Sequence, residues 1–282
     1  MLYGLGAATA AVMGHAISCR RYALGQLAVT ALQLMTHYSN DYFDYDADRA
    51  NTTPTAWSGG SRVLVNDELP RATALIAAVI LAGAGIVVAL LLATSPGSGW
   101  LVTPTLGVIL VLSWGYSAPP LRICASGLGE LDTAVVVTGL VPWLAFYLQS
   151  TDLRGIGVLA TAIIPLACLQ FAMLLAIEVP DAGGDRATGK RTLVVRLGAT
   201  MSMQLYVAVV GLAYIGLVIG AMIALPSRVA LAGMATCPIA IWRIARRNEY
   251  REPATWERLG FWSVAMLVGT AIAELLAMLS LV

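Results

Sequence analysis

Two runs of acidic residues carry the chemistry that stands out in this chain. The first, Asn40-Asp41-Tyr42-Phe43-Asp44-Tyr45-Asp46-Ala47-Asp48, follows directly on a long apolar stretch. On a helix Asp41, Asp44 and Asp48 recur at i, i+3 and i+7 and share one face, with Asn40 a turn before Asp44, while Asp46 points away. Such a face suffers mutual repulsion and desolvation, which a divalent cation relieves. The second run, Glu178-Val179-Pro180-Asp181-Ala182-Gly183-Gly184-Asp185-Arg186, sets Asp181 and Asp185 at i, i+4 with Glu178 one turn earlier. Lys190 and Arg191 follow at once. Oxygen-only donors favour magnesium, which takes one or two carboxylates and completes its shell with water and phosphate. Asn40, Asp41, Asp44, Asp48, Asp181 and Asp185 are therefore the expected metal ligands. A diphosphate held by metal on one side and by Lys190 and Arg191 on the other would satisfy both charge sets. One acidic run alone reads equally well as a solvated helix end; two at the same face, both with helical spacing, argue against that.

The elements that must position these residues are membrane helices. The 282 residues are 59% hydrophobic and 12% charged, with mean hydropathy +0.79 and a formal net charge of +1, which excludes an ordinary soluble domain and gives no basic surface for nucleic acid. A span of the hydrocarbon core takes roughly 20 apolar residues. Apolar runs broken by charges, Gly and Pro predict nine helices in a single all-α domain covering 1–282, at 2–18, 22–44, 70–94, 99–117, 129–149, 155–179, 199–223, 226–246 and 258–281. All but Arg20, Arg21, Arg154 and Arg228 of the 17 basic residues fall on the side of the loops after the second, fourth, sixth and eighth helices. The positive-inside rule makes that side cytoplasmic, with the N-terminus there and the C-terminus opposite. Both acidic runs end helices on this side.

Other polar residues gather near them. Ser58-Gly59-Gly60-Ser61-Arg62 can turn backbone amides toward an anion and add the charge of Arg62. Tyr116, and Arg122 after Pro119-Pro120, could reach the same diphosphate, or anchor the interface. His37 lies a turn before Asp41 and reads as a packed core histidine more readily than an acid or base. Glu130 and Asp132 open the fifth helix, where a helix N-terminus favours negative charge. Glu274 stands deep in the last helix without an evident partner. Arg243, Arg246, Arg247, Arg251 and Arg258 suit anionic headgroups. Cys19, Cys124, Cys168 and Cys237 stand singly, without metal or disulfide spacing.

These runs resemble the motifs of the UbiA superfamily of intramembrane prenyltransferases: NDxxDxxxD at Asn40, Asp41, Asp44 and Asp48, and DxxxD at Asp181 and Asp185 followed by Gly189 and Thr192. The stretch from Asp185 to Gly198, with Tyr116–Arg122 and Gly127–Glu130, is similar to the 1,4-dihydroxy-2-naphthoate polyprenyltransferases of menaquinone biosynthesis. Two features depart from that pattern: Ile177-Glu178-Val179-Pro180 replaces an Asn-Asn-x-Arg run, and Pro120 stands where related enzymes have the Lys of YxxxK. The resemblance implies a nine-helix bundle around a central cavity, two magnesium ions and the diphosphate at its cytoplasmic mouth, and a lateral opening for the tail. It implies transfer from a polyprenyl diphosphate donor to an aromatic acceptor, such as 1,4-dihydroxy-2-naphthoate. Asp41, Asp44, Asp48, Asp181 and Asp185 would be catalytic through the metal, and Asn40, Arg62, Tyr116, Arg122, Lys190 and Arg191 would bind substrate. A membrane terpene cyclase on the same scaffold would ionise the same donor, and a cation-coupled transporter would need acids near mid-membrane.

Overall fold

With no water to pair backbone groups in a bilayer, long apolar runs must satisfy their own amides and carbonyls, and a helix does so within one segment. The computed structural model, which describes residues 1–282, is helical accordingly and contains no β-strand, only a lone bridge between Thr55 and Ser58. Its α-helices are α1 (Leu2–Val12), α2 (Cys19–Phe43), α3 (Tyr45–Ala50), α4 (Arg71–Ala93), α5 (Val102–Gly115), α6 (Gly129–Ser150), α7 (Ile156–Ile177), α8 (Ala182–Ala187), α9 (Leu193–Ile223), α10 (Ser227–Ala245) and α11 (Trp256–Leu279).

Six helical stretches are long and apolar enough to cross a membrane: α4, α6, α7, α9, α10 and Pro253–Leu279, which contains α11. The expected count of nine is not reached on length and composition. The first expected helix stops at Val12, because Gly14 takes φ +85° and Ser18 caps α2 by accepting from the Arg21 amide. The fourth is cut to 14 residues, Val102–Gly115, starting three residues later than expected and ending before the turn at Ser117-Ala118-Pro119-Pro120. α2 reaches 25 residues but carries Arg20, Arg21, Gln26, Gln33, His37, Asn40 and Asp41. The seventh begins before the expected 199, at Leu193, and bends at Gly198 instead of starting there.

Apolar packing forms two large clusters. One joins α1, α2, α4, α5 and α6 through Val29, Leu32, Leu92, Leu106 and Leu144. The other joins α1, α7, α9, α10 and α11 through Leu166, Val210, Leu217, Val229 and Met266. α1 belongs to both, with Leu2 and Leu5 in one and Tyr3 and Ala7 in the other. It approaches α6 so closely that a Cβ on Gly6 would lie 1.9 Å from the Pro142 carbonyl oxygen.

Candidate active site

Each acidic run contains a helix break yet keeps its helical spacing across it: the Asp44 amide donates to the Asn40 carbonyl at 2.8 Å, the Asp48 amide to the Asp44 carbonyl at 2.9 Å and the Asp185 amide to the Asp181 carbonyl at 2.9 Å. α2 ends at Phe43 and α3 restarts at Tyr45, with Asp44 between them at φ −93° and ψ 3°. α7 ends at Ile177, and Asp181 flanks the start of the separate helix α8. α3 and α8 then pack backbone against backbone: a Cβ on Gly184 would stand 2.7 Å from the Ala47 carbonyl oxygen and 2.9 Å from the Asn51 amide nitrogen.

Side chains lock this crossing. Asn51 donates to Asp181 Oδ1 at 2.7 Å, Thr53 donates to the Pro180 carbonyl at 2.9 Å, and the Thr53 amide donates to Asn51 Oδ1 at 2.8 Å. Asp44, 5% exposed, accepts at Oδ2 from Asn40 Nδ2 at 2.6 Å and from Lys190 Nζ at 2.9 Å. Lys190 also stands 3.5 Å from Asp185 Oδ1, so one ammonium bridges the two runs. Asn40 donates further to Ser117 Oγ at 2.8 Å, which ties in the end of α5. Burial opposes the charge of Lys190, yet Asp44, Cys124 and Asp185 outweigh it and hold its ammonium well above the usual lysine range. Burial, then the like charges of Asp44 and Asp181, raise Asp48 to about 7. Burial, then Asp185, raise Asp181 to about 7. Burial likewise raises Asp185.

The glycine-rich loop packs on the first run. Ser61 donates through Oγ to Asp41 Oδ2 at 2.6 Å, and Gly60, at φ +67°, lies so near Asp48 that a Cβ would meet its Oδ2 at 2.2 Å. Only a residue without a side chain fits there. Arg62 Nη1 donates to the Asp48 carbonyl at 2.5 Å, so it clamps the loop to α3. Trp57 rests on Gly260 and Phe261 at the start of α11, and the Ala56 amide donates to Glu257 at 2.9 Å. The loop is strapped over the acidic end of the bundle.

Asn40, Asp44, Asp185 and Lys190 are thus in direct contact, with Asp48, Asp181 and Asp41 around them. Tyr116 faces Glu178, Cys124, Lys190 and Asp44. Arg122 is not drawn in: at φ +43° it leaves the turn with an exposed side chain that bonds no site carboxylate. Arg191 is exposed as well and lines a basic pocket of about 360 Å³ with Arg186, Lys190 and Arg196. His37 is exposed and Asp46 points to solvent. Asn51, Thr53, Ser117 and Gly184 escape a motif reading because their partners are distant in sequence; Asn51 and Asp181 are 130 residues apart.

Magnesium fits this donor set. Nowhere do three His, Cys, Asp or Glu side chains close up into a ligand group of their own. The requirement is looser than that, since magnesium keeps water and phosphate in its shell. Asp44 Oδ1 and Asp185 Oδ2, the oxygens that Lys190 leaves free, are buried without a partner. Unpaired buried carboxylate oxygens at the meeting of two acidic runs are what a hard cation would satisfy.

Known proteins are similar to this chain. A family model described as the UbiA prenyltransferase family matches residues 1–265. The chain is 26% identical over 187 residues to the 1,4-dihydroxy-2-naphthoate octaprenyltransferase of Bacillus subtilis (strain 168), a match covering 66% of this chain and 58% of that protein. It is 30% identical over 161 residues to the 2-carboxy-1,4-naphthoquinone phytyltransferase of Synechocystis sp. (strain ATCC 27184 / PCC 6803 / Kazusa), covering 54% and 49%. The chain spans about half the length of the curated relatives it matches. The apo structure of a UbiA homolog from Aeropyrum pernix K1 superposes with a TM-score of 0.74 at 16% identity, covering 98% and 97% of the two chains. A UbiA homolog from Archaeoglobus fulgidus solved bound to DMAPP and Mg2+ gives 0.60 at 14%, covering 97% and 94%. These two likenesses concern the fold. From the match along nearly its whole length, this integral membrane chain belongs to the UbiA prenyltransferase family.

Proposed function

We propose that the chain transfers a prenyl group from a polyprenyl diphosphate to an aromatic acceptor, 1,4-dihydroxy-2-naphthoate or a related quinone precursor. One observation carries this reading: Lys190 bridges Asp44 and Asp185, joining two acidic runs that each retain an unpartnered buried carboxylate oxygen. The names of the two curated relatives support the acceptor class; they differ in the prenyl group.

In this reading Asn40, Asp41, Asp44, Asp48, Asp181 and Asp185 hold magnesium, two ions by the count of the two runs. When bound, the metal neutralises the charge that develops on the leaving diphosphate. Lys190 and Arg191 bind the phosphate oxygens, and the Arg62 clamp keeps the loop over them. The allylic C–O bond breaks with its electron pair going to the diphosphate, and an aromatic carbon supplies the pair for the new C–C bond. Developing negative charge is met by groups already oriented and largely out of water. An apolar cleft of about 390 Å³ between α4 and α5, lined by Val79, Ile86, Leu110 and Trp114, runs up to Pro119-Pro120 and offers the tail an apolar path. In the membrane, α1, α2 and α5 complete nine crossings with α4, α6, α7, α9, α10 and α11, and the acidic end faces the cytoplasm with the N-terminus.

The test is purified full-length protein in detergent with magnesium and geranylgeranyl diphosphate, with and without 1,4-dihydroxy-2-naphthoate, products read by mass spectrometry. A prenylated, decarboxylated naphthoquinol that disappears in Asp44→Ala and Asp181→Ala is the expected result. Diphosphate release with a cyclic hydrocarbon and no adduct would replace transfer with cyclisation.

A further inference from the structure

Beside the metal site lies a second pair of acids that metal and diphosphate leave unused. Glu130, in the first turn of α6, is 1% exposed, and Glu178, just past α7, is 8% exposed. The two carboxyls face one another. Glu130 Oε1, Glu130 Oε2 and Glu178 Oε2 receive no hydrogen bond from any protein donor. The charged and titratable groups facing the pair are Lys190, Asp185, Tyr116, Cys124 and Tyr250. Lys190 is committed to Asp44, Asp185 and, in the transfer reading, the diphosphate, and the Tyr250 hydroxyl donates to the Leu175 carbonyl at 2.7 Å. The helix N-terminus favours charge at Glu130 but leaves its oxygens unpaired. Buried acceptors with no donor are rare and expensive, and a ligand hydroxyl would supply the missing donor.

We infer that Glu130 and Glu178 form the acceptor site, taking a hydroxyl-bearing aromatic ring by its O–H and acting on it as a shared general base; this rests on the transfer reading above. The phenolic O–H bond breaks, its proton passes to a free carboxylate oxygen of the pair, and its electrons enter the ring. The ring carbon bonds to the allylic carbon as the diphosphate departs with the C–O electron pair. The resulting dienone loses the substituent on the alkylated carbon, as CO2 or as a proton that passes to the departed diphosphate. The electrons left behind restore the aromatic ring, and the dienone oxygen takes back the proton from the pair.

The experiment uses full-length protein in detergent with magnesium, comparing Glu130→Gln, Glu130→Asp and wild type. Geranylgeranyl diphosphate and 1,4-dihydroxy-2-naphthoate binding are each read by tryptophan fluorescence, and transfer is followed across pH. Glu130→Gln is expected to bind the diphosphate within about twofold of wild type, to bind the naphthoate about tenfold more weakly, and to lose about 100-fold in kcat together with the acid limb of its pH profile. Glu130→Asp should recover part of the rate. A Glu130→Gln protein with unchanged naphthoate binding, rate and pH profile overturns the assignment while leaving the transfer reading intact. If wild type makes no prenylated product, the transfer reading fails and binding alone decides the pair: naphthoate bound equally by wild type and Glu130→Gln overturns it. Should Glu130→Gln not fold, Glu178→Gln takes its place with the same readouts.

Discussion

Asp44 and Lys190 hold the two acidic runs together, so substitutions there separate charge from shape. Lys190→Met removes the one cation from between Asp44 and Asp185 while nearly keeping its volume. Leaving one side of a buried pair uncompensated costs about 3–5 kcal/mol, so we expect a lowered Tm without metal, partial recovery in magnesium, and loss of turnover. Equal Tm values for Lys190→Met and wild type in EDTA would show that the bridge carries no weight. The same crowding sets a pH dependence. Asp48 and Asp181 titrate near about 7 in the folded protein against an ordinary value of 3.8. The folded state therefore holds these protons more tightly than the unfolded chain. The stability they contribute is complete below pH 3.8 and is lost as pH rises through about 7. Metal-free protein should show a Tm that falls across this window, and magnesium should flatten the curve at its upper end. Below about pH 7, magnesium affinity should drop about tenfold per unit for each carboxyl that must give up a proton, measured by calorimetry.

Between elements, glycine decides how near two backbones come. Gly184 lets α8 sit on α3, and a methyl there would meet the Ala47 carbonyl oxygen at 2.7 Å. Backbone cannot step aside as a side-chain tip can. Gly184→Ala should push the second run away from the first, lowering kcat and metal affinity by about tenfold or more while the fold survives. Gly6 makes the contrasting case on α1, where a Cβ would stand 1.9 Å from the Pro142 carbonyl oxygen, at a contact that involves neither acidic run. Gly6→Ala should cost about 1–3 kcal/mol of stability with magnesium affinity unchanged in the protein that folds. A Gly184→Ala enzyme of full activity would refute the close crossing of α3 and α8. The Trp57 strap belongs to this scale too: Trp57→Ala frees the loop from Gly260 and Phe261, and KM for the diphosphate should rise with little change in Tm.

For the molecule as a whole, orientation in the membrane is the testable property. Cys19 is exposed at the start of α2, at the end away from the acidic runs, whereas Cys124 is buried beside Asp44. A membrane-impermeant maleimide applied to intact cells should label Cys19 and spare a cysteine placed at Ser61, and the reverse pattern would invert the proposed topology. Much of this organisation was legible in the chain. Apolar runs with no water to pair the backbone permit only helices, and carboxylates at i, i+4 beside basic residues point to a cation and a phosphate whatever the packing. Helix ends were less legible, since Gly14, Gly198 and the turn before Pro119 act through local φ values and competing hydrogen bonds. The tertiary structure alone decided which carboxylates face one another. The breaks at Asp44 and before Asp181 leave the helical spacing within each run in place, and the close crossing of α3 and α8 brings the two runs together. It alone also turned Glu178 from the second acidic run toward Glu130 and placed Lys190 on Asp44, 146 residues away. Periodicity reports which side of a helix a residue occupies, while contacts between distant segments depend on how whole helices pack, and no local spacing encodes that.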